Sequence, residues 1–233
     1  MRLNTRKVVY LFWTTLLLGA TFGMLVGIVI DLDTYLGEGV ANFILGAIWM
    51  FGISAAISLV AQMGFFAYLT LHRIALSIFK GPKLWNRVQI VLIAFAYFDL
   101  VFLRYWAFAE EGESLAGYFI TPTLLLLFAL AVAYVKQKET NRATFVPALF
   151  FMFVITIIEW VPALTIDIVH GTKWLWIYLT PLVVANTWQL LMLHRLYSKD
   201  DEGLKPKPGQ PAEPTKSSSG KKSKKKKRNK KKK

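Results

Sequence analysis

The chain has 233 residues, of which 55% are hydrophobic and 15% aromatic, and a formal net charge of +14. So many long apolar stretches are foreign to a soluble domain of this size and point to the membrane class. The absence of cysteine excludes disulfides, thiol catalysis and cysteine-held metals. The charge is unevenly spread: sixteen Lys/Arg and four Asp/Glu fall from Arg195 onward, so a near-neutral body carries a strongly basic tail.

Six apolar segments of spanning length follow one another, at about 8–30, 43–71, 88–109, 116–135, 145–168 and 174–193. Roughly 20 residues cross about 30 Å as a helix. The runs are continuous rather than alternating every second residue, so helices are the expected spanning form. The fold class is therefore all-α: a polytopic membrane protein with six transmembrane helices in residues 1–198.

Loop charges give the expected orientation. Arg2, Arg6 and Lys7 precede the first span; Arg73, Lys80, Lys83 and Arg87 join the second to the third; Lys136, Lys138 and Arg142 join the fourth to the fifth. The opposite side carries Asp31, Asp33, Glu38, Glu110, Glu111 and Glu113, with Lys173 its one base. This bias puts both termini in the cytoplasm. The first run is too long for a signal-peptide core and lacks a small-x-small site before Asp31, so it is read as an uncleaved span. The loops leave no room for a soluble enzymatic domain.

Span 1 carries Gly19, Gly23 and Gly27 four residues apart, nearly on one helix face, where another backbone can approach closely. Internal packing is the ordinary use of such a face; docking of another membrane protein is the sharper one. Span 3 contains FAYFDLVFLRYW, with Asp99 near its middle and Arg104 five residues on. A charged, unpaired carboxylate there costs at least about 2.5 kcal/mol. Five residues are about 140° around a helix, so the two do not face each other. Arg104 can snorkel outward to Glu111 or meet Glu159 of span 5 at similar depth. The reading adopted is an Arg104–Glu159 interhelical pair with Asp99 facing the bundle interior. Fixing helix register is the bland role of these charges, and a proton or ion path the functional one. Pro162, three residues after Glu159, would free a backbone carbonyl beside the acid.

His72, His170 and His194 are too scattered to form a metal set, and no phosphate loop or nucleophile motif is visible. No cofactor, metal or catalytic residue is expected. Residues 199–220 read as a flexible Pro/Gly/Ser linker. The end is KKSKKKKRNKKKK, with Lys221, Lys222, Lys224, Lys225, Lys226, Lys227, Arg228, Lys230, Lys231, Lys232 and Lys233 as a disordered polycation. The nearby anionic leaflet is its expected partner, at about 1 kcal/mol per Lys. Nonspecific contact with nucleic acid or ribosomes is the rival; no interleaved aromatics are present to stack on bases.

The segments LFWTTLLLGATFGMLVG (Leu11 to Gly27) and DLVFLRY (Asp99 to Tyr105), within this six-span layout, resemble the KinB-signalling pathway activation family of bacterial membrane proteins. The resemblance covers about residues 8 to 200. It implies a non-enzymatic accessory protein of the bacterial cell membrane, required by a membrane sensor histidine kinase that feeds the sporulation phosphorelay. Two other classes remain beside it: a small transporter or channel using Asp99, Arg104 and Glu159, and a tether acting through its tail.

Overall fold

A computed structural model describes residues 5–37, 39–109, 114–166 and 173–203. Among them every regular element is helical. Helix α1 is Thr5–Ile30, α2 the short Leu32–Gly37, α3 Val40–Ile78 and α4 Pro82–Phe108. A 3-10 turn, Leu115–Phe119, leads into α5, Ile120–Glu139. The next span is composite: a 3-10 turn Arg142–Thr144, α6 (Phe145–Phe150), a π-turn Phe151–Ile155 and α7 (Thr156–Ile166). Helix α8 is Lys173–Gly203. Six helical stretches are long and apolar enough to cross a membrane: Thr5–Ile30, Val40–Ile78, Pro82–Trp106, Leu115–Glu139, Arg142–Ala163 and Lys173–Leu196.

Local chemistry sets the element boundaries. Gly39 and Gly81 precede α3 and α4 with φ of +88° and +150°, backbone that side chains disfavour. Pro82 then opens α4, where its missing N–H costs nothing. Ser114 and Asn141 accept hydrogen bonds from the amides of Ala116 and Ala143, two residues on. At the α2 end, Lys173 donates to Asp31 Oδ1 at 2.6 Å.

The composite fifth span is the axis of the bundle: 67% of its apolar stretch is buried, against 22–28% in the first four spans and 50% in the sixth. Phe151, Met152 and Phe153 are wholly enclosed. Phe65 of α3 meets the Phe151 ring edge-on at 5.3 Å between centroids, and Tyr68 lies 5.2 Å from the same ring. Tyr68 donates its hydroxyl to the Pro147 carbonyl and Trp160 its indole N–H to the Leu175 carbonyl, so both bury their polar tips satisfied.

Helix α1 runs antiparallel to α3 and to α8. Ser58 donates to the Thr15 carbonyl, Trp188 to Thr14 Oγ1, and Lys7 to the Leu196 carbonyl. The start of α1 and the Leu196 region of α8 therefore share one end of the bundle. The outward surface is studded with large apolar side chains, among them Trp49, Met63, Phe95 and Trp106. Water would penalise such a surface; hydrocarbon accepts it.

Candidate functional site

The axial span is interrupted twice around its one acid. The π-turn Phe151–Ile155 adds a residue to the local turn immediately before Thr156, and Pro162 cannot donate to the Ile158 carbonyl. Between these breaks Thr156 and Glu159, three residues apart, share a face. Both are buried.

That face meets Asn186 of α8, which is wholly enclosed. The Asn186 Nδ2 group donates to Glu159 Oε2 at 2.7 Å and to Thr156 Oγ1 at 3.0 Å. On its other side the Glu159 carboxylate lies against Gly64 of α3, so closely that a β-carbon at Gly64 would collide with it. One carboxyl group thus ties α3, α7 and α8 together. The node is incompletely satisfied: Glu159 Oε1 and Asn186 Oδ1 have no hydrogen-bond partner among the described residues, nor do both polar ends of Gln189 one turn along α8. Unpaired polar groups are costly in a low-dielectric interior. Among the described residues no three His, Asp or Glu side chains gather to hold a metal.

A second set of polar contacts lies toward the end shared by Lys7 and Leu196. Lys136, buried in the last turn of α5, donates to the Leu190 carbonyl at 2.6 Å. Arg195 pairs with Glu139 at 2.5 Å. Trp85 donates to His72 Nδ1 at 3.0 Å, and Gln89 donates to the Tyr68 hydroxyl at 3.3 Å.

The glycines singled out in α1 face their own chain. A β-carbon at Gly19 would stand 2.8 Å from Ser58 Cβ and 3.3 Å from the Pro181 carbonyl oxygen. At Gly23 it would stand 2.7 Å from Ser54 Cβ and 3.2 Å from Pro181 Cγ, and at Gly27 2.7 Å from Met50 Sδ. The glycine face is the seam of α1 with α3 and α8, so it is not available for docking another protein.

Glu159 does not pair with Arg104. Among the described residues the ion pairs are Lys173–Asp31 and Arg195–Glu139. Glu159 points between α3 and α8, whereas the Arg104 guanidinium sits 6.0 Å over the Tyr118 ring in the turn before α5. Similar depth placed the two at one level, but they face different neighbours. The alternative partner Glu111 lies outside the described residues.

Asp99 is exposed, not turned inward. The buried stripe of α4 runs through Trp85, Gln89, Ile93, Leu100 and Val101. Asp99 stands off that stripe, in helical register with the outward Phe95 and Phe102. The polycationic tail, Lys221 to Lys233, also lies outside the described residues.

Gly64 and Lys136 are contributors that sequence reasoning did not single out. The i, i+3 spacing of Thr156 and Glu159 signals a shared polar face; Gly64 lies in an apolar run with no such signal. Lys136 reads as a loop base but closes α5 from within.

Comparison with known proteins accords with the resemblance in α1 and α4. Residues 19–196 match the family described as KinB-signalling pathway activation in sporulation. A relative, the KinB-signaling pathway activation protein of Bacillus subtilis (strain 168), is 41% identical over 202 residues, covering 84% of this chain and 100% of that protein. No solved structure matches. On a family match that spans five of the six candidate membrane helices in full and part of the first, the chain belongs to the KinB-signalling pathway activation family.

Proposed function

We propose that the protein is an integral membrane regulator required to activate a membrane sensor histidine kinase that feeds the sporulation phosphorelay. The family match over residues 19–196 carries this reading. It is supported by six helices long and apolar enough to span a bilayer and by the apolar outward surface of the bundle. The basic residues gather at the end where α1 begins, which argues for cytoplasmic termini.

The protein would act without chemistry of its own, by packing against the kinase within the bilayer. A regulator shifts a kinase only by contacting its active and inactive states differently. The three intramembrane charges have separate surroundings: Asp99 faces outward, Arg104 meets Tyr118, and Glu159 meets Asn186. Such separation weighs against a shared transport path. The tail beyond residue 203 would add affinity for the anionic leaflet at about 1 kcal/mol per Lys.

Co-reconstitution tests this reading. Kinase autophosphorylation is measured in liposomes with and without the full-length protein. A faster rate in its presence is expected; equal rates at equal kinase orientation would overturn the reading.

A further inference from the structure

Helix α4 presents one outward stripe: Val91, Phe95, Phe98, Phe102 and Trp106, between 55% and 87% exposed, with the exposed Asp99 halfway along it on one edge. These positions recur at three- and four-residue intervals, as in a helix face laid against another helix. Asp99 has no hydrogen bond or ion pair with any described residue, and its neighbour Arg104 is turned to Tyr118. It lies seventeen residues from Pro82 and nine from Phe108, so about 25 Å and 13 Å of helix separate it from the two ends. A side chain as short as Asp cannot snorkel across either distance.

We propose that the outward stripe of α4, flanked at mid-length by Asp99, docks a transmembrane helix of the kinase, which brings a lysine or arginine to the Asp99 carboxylate. This rests on the regulator reading above and names its contact surface. Hydrocarbon tails offer no hydrogen-bond donor or cation at that depth, so lipid alone leaves the acid unmatched. A second copy is a poor occupant. Two-fold packing on this stripe brings no cation to the depth of Asp99, because apart from Arg104, which is turned to Tyr118, the described Lys and Arg residues lie near span ends. A partner cation satisfies the carboxylate, and the aromatic side chains on either side supply the packing area.

The test uses full-length protein in membranes that also contain the kinase. A photo-reactive residue replaces Phe102 on the stripe, or Ile48 on the outward face of α3 as a control. Capture of the kinase from position 102 and not from 48 is expected. In the Asp99→Leu background, capture should fall by about tenfold, as expected for one intramembrane polar contact. Asp99→Lys should abolish it, and an acid replacing the matching base of the kinase helix should restore it. Because the site faces outward, the Asp99→Leu protein should insert at the normal level. Capture of lipid alone, of a second copy or of another protein would overturn the proposal, as would undiminished capture of the kinase from the Asp99→Leu variant. If gene deletion abolishes kinase activation while Asp99→Leu leaves it intact, the docking site falls and the regulator reading stands. If deletion leaves activation unchanged, the regulator reading falls with it.

Discussion

The Glu159 carboxylate of α7 occupies the space that a β-carbon on Gly64 of α3 would need. The contact sets how closely these helices approach, and Asn186 holds the carboxylate there from the opposite side. In Gly64→Ala the carboxylate must move, which gives up its 2.7 Å bond to Asn186, or α3 must retreat. A destabilisation of about 1–3 kcal/mol is expected from such overpacking, read as a lower thermal midpoint in detergent. Combining it with Glu159→Ala should relieve part of that cost, a coupling that a double-mutant cycle measures.

Glu159 accepts a hydrogen bond from Asn186 across two helices, and a structural role predicts different variants from a transport role. Glu159→Gln retains an oxygen for the Asn186 amide, so the variant should fold and support kinase activation like the wild type. Glu159→Leu leaves Asn186 without that acceptor and should cost about 1–3 kcal/mol. An ion or proton path through this residue would instead lose its function in Glu159→Gln. Activation and thermal midpoint measured side by side distinguish the two roles.

Two glycines, Gly23 in the α1 seam and Gly52 on the open face of α3, carry opposite predictions. Gly23→Leu forces a side chain into Ser54 and Pro181, so it should remove folded protein from the membrane rather than weaken partner capture alone. Gly52 has open space where its β-carbon would stand. Gly52→Ala should therefore be neutral or stabilising by up to about 1 kcal/mol, the usual helix preference for alanine. Membrane abundance and detergent melting check both.

The match to the family ends at residue 196, ahead of the basic tail. Truncation after Ser198 is thus expected to preserve kinase activation at equal expression. Loss of activation in the truncated protein would move the function into the tail.

The six helices were legible because continuous apolar runs of spanning length leave few other folds. Their ends were not: α3 continues to Ile78 and α5 to Glu139, beyond the apolar runs, because basic side chains at a membrane edge can extend along the helix or find a carbonyl, as Lys136 does with Leu190. Azimuth was the larger gap. In a helix apolar on every side, sequence does not reveal which face meets the bundle, and so the inward Asp99 expected from sequence lies outward in the fold. Counting residues gave Arg104 and Glu159 a common depth but not a common neighbour. The glycine spacing of α1 revealed a close-packing face; only the fold reveals that α3 and α8 fill it.

The central claim is that the kinase cannot be activated without this protein. The most direct measurement is the phosphorylation level of the kinase in sporulating cells, with the gene present, deleted, and restored as the full-length chain. Phosphorylation is expected to fall on deletion, at unchanged kinase abundance, and to return on restoration. Equal phosphorylation in all three strains would contradict it.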